Sequence, residues 1–191
     1  MSSCLPRRKS HCERPTRRHV TLSGIVRDYI ENYRASSQRE LSFFEGLPFS
    51  SAIEHAALAK DHRGKRYSHQ RRLTRVSLAK AKTALMAARG KLEKATTFDE
   101  VFQLVGDAIA TIWGLGELYI YDTALRIAAA RRIVPTAVYL HAGTRTGAKR
   151  LRISTDRTFV PIADLRAEFR SLKAHEIEDL LCIYKNQLGA V

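Results

Sequence analysis

Two closely spaced glycines are the residues of this chain best suited to hold an anion. Gly114-Leu115-Gly116 follows an apolar run, and a second helical pattern begins directly after it. Glycines permit a tight turn and let a ligand approach the backbone closely. Free N–H groups at the start of the second helix would then favour a phosphate oxygen. The contacts predicted for this turn involve Gly114, Leu115, Gly116, Glu117, Leu118 and Tyr119.

A polar loop after Gly64 combines cations with groups that can contact nucleotide bases. A tyrosine ring can stack on a base and an amide can hydrogen-bond a base edge, while Lys and Arg bind phosphates. An exposed loop without a partner is the alternative interpretation. The candidate binding residues of this loop are Lys65, Arg66, Tyr67, His69, Gln70, Arg71 and Arg72. A later basic group consists of Arg145, Lys149 and Arg150.

The positive charge of the chain is clustered. Lys plus Arg number 33 against 19 Asp plus Glu, a net charge of +14. Lys60–Lys94 contains 12 basic and two acidic residues, and Arg126–Arg157 contains eight and one, whereas 96–125 contains no basic residue. Such clusters predict a polyanionic partner, double-stranded DNA in the first instance, although a solvated charged face is the plainer alternative. No apolar run approaches the length of a membrane helix, so we expect no membrane partner.

Helical periodicity dominates and predicts a mainly α fold. We expect a flexible basic arm over 1–19 and one helical domain over 20–191, with a helix-hairpin-helix at about 101–131. Thr97 and Glu100 have the spacing of a capping box, which fixes the start of the first hairpin helix. A final helix carries the stripe Ile177, Leu180, Leu181 and Tyr184. The other expected helices run from Leu22 to Tyr33, over 52–62 with Ser50 or Ser51 as the cap, and over 75–93. The two hairpin helices end at Ile112 and Arg131, and Pro135 opens a further helix. Loops are expected over 35–50 and 62–72, and an extended segment over 158–162.

The Gly-Leu-Gly turn and its surroundings resemble the helix-hairpin-helix module of DNA-binding and repair proteins, over residues 101–150. The subclass they look most like is the endonuclease III type of DNA glycosylase. In that subclass the second hairpin helix is followed by an apolar-Pro segment and then a Val-Asp-x-His sequence, and Val134–His141 stands in that place here. This resemblance implies a hairpin backbone that holds a DNA phosphate without reading sequence, often with a monovalent cation. The strings at 64–72, 121–127, 139–144 and 178–185 also resemble an uncharacterised bacterial protein family, which implies no function.

The departures from the glycosylase pattern bear on catalysis. The nucleophilic lysine of that family would stand at Leu118, and its catalytic aspartate at Tyr139. Neither side chain can form a Schiff base or supply a carboxylate. No four-cysteine iron–sulfur sequence is present. We therefore assign no catalytic residue and no resident cofactor, and we lean against an enzyme.

A second candidate site is a pocket formed by Asp122, Arg126, Tyr139 and His141. Asp122 and Arg126 are an i,i+4 pair, which predicts a structural ion pair. Two further functions stay open at this stage. An atypical glycosylase or nuclease would use His141, Tyr139 or Asp122, and a protein-interaction adaptor would use the charge against an acidic partner.

The cysteines and remaining acids indicate no metal site. Cys4, Cys12 and Cys182 are odd in number and widely spread, which argues against a disulfide framework and for a reducing cytoplasm, or the nucleoid if DNA is bound. The basic N-terminus lacks the apolar segment of a secretory signal. The spacings of Cys4, His11, Cys12 and His19 match no common zinc module. His175, Glu176, Glu178 and Asp179 are expected to cap and solvate the last helix. The sequence predicts no oligomeric state.

Overall fold

A computed structural model describes residues 21–190, which form nine α-helices and one two-stranded sheet. The mainly α class is confirmed, and the basic arm predicted over 1–19 lies outside the described residues. The helices are α1 (Leu22–Asn32), α2 (Arg34–Glu45), α3 (Phe49–Ala57), α4 (Arg75–Ala87), α5 (Arg89–Lys94), α6 (Phe98–Ile109), α7 (Glu117–Ala129), α8 (Ala142–Arg150) and α9 (Ala174–Ile183). The strands are β1 (Ala137–Tyr139) and β2 (Phe159–Pro161).

The first of two apolar cores lies among α3, α4, α5, α6 and α7. α6 and α7, the two hairpin helices, pack along each other, and α3 packs against both α4 and α7. Ile53, Leu78, Leu85, Leu92 and Ile109 are fully buried in this core. Burying each such side chain stabilises the fold by about 1.5–3 kcal/mol. This core therefore fixes the direction in which the hairpin projects.

The second core lies among α1, α8, α9 and the sheet. Phe169, Ile177, Leu180 and Leu181 are buried there. α8 and α9 approach each other closely at Gly147, where a Cβ would lie 2.2 Å from the carbonyl oxygen of Leu181. Only a residue without a side chain fits at this crossing. The close packing holds the N-terminus of α8 in a fixed position.

Strand β1 contributes to both cores. Val138 and Leu140 face the second core, whereas Tyr139 between them faces the first. This alternation is what a strand produces, because successive side chains point to opposite faces. β1 pairs antiparallel with β2, with Val138 opposite Val160. The extended segment predicted over 158–162 is confirmed, but the helix expected after Pro135 is wrong, because this segment must supply two opposite faces.

Local signals located several helices correctly. Thr97 Oγ1 accepts a hydrogen bond from the Glu100 amide at 3.2 Å, and the Glu100 carboxylate accepts one from the Thr97 amide at 3.3 Å. This is the predicted capping box, and it opens α6. The helices predicted over 22–33, over 117–131 and at the end of the chain are also present, as α1, α7 and α9. The hairpin helices end two to three residues earlier than predicted.

The loop predicted over 35–50 is wrong, because most of it is α2. This helix carries little apolar periodicity, and Phe44 is its one fully buried residue. Long-range polar contacts hold it instead. Glu40 accepts from Arg126 Nε at 2.8 Å, and Arg34 pairs with Glu176 at 2.9 Å. No local pattern in the sequence could show these partners.

Two other boundaries differ from the prediction. α3 begins after Pro48, with no serine side chain as its cap, and ends at Ala57 instead of residue 62. The chain turns at Ala59, whose φ is 53°, and residues 60 and 66 then form an isolated antiparallel bridge. The helix predicted over 75–93 is two helices, α4 and α5, which meet at Ala88.

Candidate functional site

A short hairpin connection joins α6 to α7, and one of its two glycines has a conformation that favours glycine. Gly114 has a φ of 86°, a left-handed conformation that favours glycine. Gly116 is the N-cap of α7 in an extended conformation, and no side chain caps the helix there. A Cβ at Gly116 would meet no atom within 4 Å. The first amides of α7, which have no partner within the helix, therefore lie at an open surface.

Trp113 projects from the tip of this hairpin and is 85% exposed. Its backbone is fixed, because the Ser77 hydroxyl donates to the Trp113 carbonyl at 3.0 Å. The neighbouring Val76, the second residue of α4, is 65% exposed. Sequence reasoning assigned no role to Trp113. The available signal was the position of the one tryptophan directly before the Gly-Leu-Gly turn.

A depression of about 400 Å³ lies beside the hairpin and receives two helix N-termini. Gly116 and Leu118 bring the start of α7 to it, and His141 and Gly143 bring the start of α8. The positive ends of both helix dipoles therefore lie at the edge of one depression. Lys185, from beyond the end of α9, also lines the depression. The side of the hairpin that holds Leu118 is thus electrostatically suited to an anion.

An acidic residue at this surface opposes that field. Glu117, the first residue of α7, is exposed and pairs with Arg145 at 3.4 Å. Arg145 also donates to the carbonyls of Thr155 and Arg157, at 2.8 and 3.0 Å. The predicted phosphate contact by Arg145 therefore competes with three existing partners. Lys149 and Arg150 are exposed at the far end of α8.

The basic loop divides into outward cations and inward binding groups. Lys65, Arg71 and Arg72 are exposed. Gln70, by contrast, is 3% exposed, and the ring of Tyr67 lies 3.7 Å below the Arg126 guanidinium. Arg66 also points inward and donates to the Leu73 carbonyl at 2.8 Å. Outside the loop, on α7, Tyr119 is buried and donates to the Ala57 carbonyl at 2.7 Å.

The Gln70 side chain, which was predicted to contact a base edge, is buried and cannot reach one, whereas the contact predicted at Tyr119 involves the hairpin backbone and stays a prediction. A base predicted to stack on Tyr67 would have to compete with Arg126, which already covers the ring. The loop retains its exposed cations as candidate phosphate contacts. Its polar and aromatic side chains serve the interior instead.

These inward groups form a buried polar network with the predicted pocket residues. Asp122 accepts from Gln70 and contacts His69 Nε2, each at 2.8 Å. The expected Asp122–Arg126 ion pair is present at 3.9 Å. Arg126 also donates to the side-chain oxygen Oε1 of Gln70 at 3.1 Å. The network joins residues 68–70 to α7, and the contact between Glu40 and Arg126 joins both to α2.

His141 and Tyr139 are engaged in hydrogen bonds of their own. The Gly143 amide donates to His141 Nδ1 at 3.3 Å, so the ring proton is on Nε2, which donates to Glu178. Tyr139 donates to Asp99. Burial raises the pKa of Glu178, while its bonds to His141 and Thr144 act in the opposite direction. His141 and Tyr139 thus each have a carboxylate partner within the fold.

The acids of α9 are not solvated as predicted. Glu176 does cap the helix, since its carboxylate accepts from the Lys173 amide at 2.9 Å, but it is buried against Arg34. Glu178 is buried, and burial beside Glu178 raises the pKa of Asp179 to about 7. Cys182 is half-buried, and burial raises the pKa of its thiol to about 11, which fits the expected packed thiol.

The comparisons identify no relative: no protein-family model, no curated protein and no solved structure matches the chain. Across residues 21–190, no helix has both the length and the apolar character needed to cross a membrane. The same residues contain no cluster of three His, Cys, Asp or Glu side chains able to hold a metal ion. Function is therefore inferred from the geometry of this chain alone.

Proposed function

We propose that this protein binds double-stranded DNA by its phosphate backbone, through the hairpin between α6 and α7. The observation that carries the proposal is the uncapped start of α7 at Gly116, open to solvent beside the N-terminus of α8 and Lys185. Amides at a helix N-terminus bind phosphate oxygens well. Because phosphates are the same at every base pair, such contacts orient a duplex without reading its sequence.

The distribution of cations supports this role. Arg71, Arg72 and Arg75 are exposed near the start of α4, which the Ser77–Trp113 hydrogen bond holds against the hairpin. They belong to the segment Lys60–Lys94, in which basic residues outnumber acids by 12 to two. A phosphate at Gly116 would therefore have cations close by along the same strand. Each neutralised phosphate makes the binding more sensitive to salt.

Trp113 fits the same interface. Its indole stands at the tip of the hairpin, so a duplex held at Gly116 would bring a groove edge against the ring. An exposed aromatic ring can stack on a base or wedge beside one. The adjoining Val76 widens this apolar tip. Arginines beside an apolar tip suit a nucleic acid better than an uncharged partner.

Replacement of Gly116 by valine is expected to weaken DNA binding by about tenfold or more, because the side chain would stand between the α7 amides and a phosphate. The chain should stay folded, since a Cβ at this position meets no atom within 4 Å. Fluorescence anisotropy with a labelled duplex, at about 50 and 200 mM salt, measures the affinity and its salt dependence. Circular dichroism checks the fold.

Gly90→Val is the matched control, because Gly90 is exposed on α5 and equally open around its Cβ. This variant should bind DNA like the original chain. Equal affinity of the Gly116 and Gly90 variants would remove the hairpin from the interface. Absence of any binding at the lower salt concentration would overturn the proposed function itself.

A further inference from the structure

A second polar cavity lies between α2, α7 and α9, on the other side of His69 from the hairpin depression. Its volume is about 400 Å³, within the range of small-molecule sites. Four carboxyl groups line it, from Glu40, Asp122, Glu178 and Asp179. Arg126 is the one Lys or Arg among its described lining residues. In a chain of net charge +14, this cavity is a local concentration of acids.

The four carboxyl groups are not matched by internal partners. Arg126 is shared between Glu40 and Asp122, at 2.8 and 3.9 Å. Glu178 accepts from His141 Nε2, and Asp179 accepts from the Tyr29 hydroxyl at 3.0 Å. One guanidinium therefore serves two carboxylates, one of which also contacts His69 Nε2 at 2.8 Å, while the other two have an imidazole and a phenol as donors. Acids placed this way favour an additional cation.

Two buried polar atoms at the cavity have no partner among the described residues. They are the hydroxyl of Tyr121, which is 2% exposed, and Nδ1 of His175, which is 4% exposed. Buried polar atoms are almost always hydrogen-bonded in native proteins. Tyr121 lines the cavity together with Asp122 and Glu178, and burial and then the charges of these two acids raise its pKa. A tyrosine oxygen can accept a hydrogen bond, and so can an imidazole nitrogen that carries no proton, so the two atoms suit a ligand with hydrogen-bond donors.

The wall of the cavity also includes an aromatic ring. Tyr33 lies at the mouth, and its ring is exposed. Tyr29 stacks on it with ring centroids 6.1 Å apart, and the ring of Tyr184 meets it edge-on at 5.8 Å. This packing fixes the ring in one orientation. The face of a tyrosine ring attracts organic cations.

We propose that this cavity binds a small organic cation with a primary ammonium group. The ammonium group donates to Asp179, Asp122 and the Tyr121 oxygen, and the alkyl part lies against Tyr33. The three N–H donors of an ammonium group match a site that offers acceptors. A bare metal ion fits less well, since no cluster of ligating side chains exists among residues 21–190.

Isothermal titration of the full chain without DNA tests this site, with 1,4-diaminobutane as the probe and 1,4-butanediol as its neutral counterpart. At pH 8 the diamine should bind saturably and at least about tenfold more tightly than the diol. Asp179→Asn, which keeps the size of the side chain, should lower the affinity for the diamine by about tenfold. Asp107→Asn, on the exposed face of α6, should leave it unchanged.

The affinity should also fall from pH 8 to pH 6, because the pKa of Asp179 is about 7 and its protonation removes an acceptor charge. The groups around Asp179 are Tyr29 from α1, Glu40 from α2, Asp122 and Arg126 from α7, and His175 and Glu178 from α9. The Asp179→Asn variant should lose most of this pH dependence. An equal pH dependence in that variant would contradict the assignment to Asp179.

A second variant covers the case in which Asp179→Asn fails to fold. Tyr33→Ala removes an exposed ring at the mouth and should reduce the diamine affinity while circular dichroism shows an intact fold. Three results would overturn the proposal: no diamine binding up to about 10 mM at pH 8, equal binding of the diol, or unchanged binding in both variants. DNA binding by the hairpin is independent of all three.

Discussion

At the scale of single residues, Trp113 is the side chain whose position calls for a partner. A large aromatic ring that is 85% exposed leaves most of its apolar surface in water. Nothing about folding requires it there, because its contact with Ser77 is made by the backbone carbonyl alone. The ring is therefore free to contribute to binding without first giving up an internal contact.

Duplex DNA is expected to quench or shift the fluorescence of Trp113 as binding saturates. The chain contains one tryptophan, so its emission reports on the hairpin tip only. Stacking on a base contributes about 1–3 kcal/mol and changes the surroundings of the indole. The measurement is a titration of tryptophan emission beside the anisotropy titration. Saturable anisotropy with unchanged emission would show that Trp113 lies outside the interface.

At the scale of elements, the start of α6 sets the position of the hairpin. Thr97→Ala is expected to lower the free energy of unfolding by about 1 kcal/mol, because the Glu100 amide loses its acceptor. Urea unfolding followed by circular dichroism measures the loss. Thr136→Ala, at an exposed position before β1, is the control and should change stability little. An equal effect of both substitutions would mean that the capping box contributes nothing.

The same elements show what the sequence can and cannot predict. The start of α6 can be predicted because Thr97 and Glu100 are three residues apart, and the turn before α7 can be predicted because two glycines directly precede that helix. α2 is not readable, because Arg34 meets Glu176, 142 positions away in the chain. β1 was mistaken for helix because its two faces belong to different cores.

The candidate sites follow the same rule. The exposed cations of the basic loop could be expected from composition. The burial of Gln70 could not, because its partners Asp122 and Arg126 are more than 50 positions away. The acidic cavity was predicted only in part, because the candidate pocket included Asp122 and Arg126 but not Glu40, Glu178 or Asp179. Its acids come from three helices that are distant in the sequence, and those on α9 read as an ordinary solvated first turn.

At the scale of the whole molecule, a basic exterior surrounds a buried group of acids. Burial raises the pKa of Asp179 from 3.8 to about 7, so the native state binds its proton more tightly than the unfolded chain does. This stabilisation is fully present below pH 3.8 and is lost as the pH rises through about 7. Burial raises the pKa of Glu178 as well, and its effect has the same sign.

The free energy of unfolding is therefore expected to fall by on the order of 2 kcal/mol between pH 5 and pH 8. Asp179→Asn should show a shallower decline, because an amide does not ionise. Urea unfolding at pH 5, 6.5 and 8, without ligand, compares the two chains. The exposed Glu54 and Glu100 have lowered pKa values and act in the opposite direction, mainly at lower pH. Parallel pH profiles for the two chains would show that Asp179 is not responsible.

Strand β1 has a consequence for how this molecule opens. Its three residues separate the two cores, with Val138 on one side and Tyr139 on the other. A fluctuation that releases β1 from β2 therefore lets water reach both cores in the same event. Amide protons of α6 and of α9, which belong to different cores, are therefore expected to exchange with solvent at coupled rates, which native-state hydrogen exchange measures. The hairpin and the acidic cavity are accordingly expected to lose their structure in the same opening reaction.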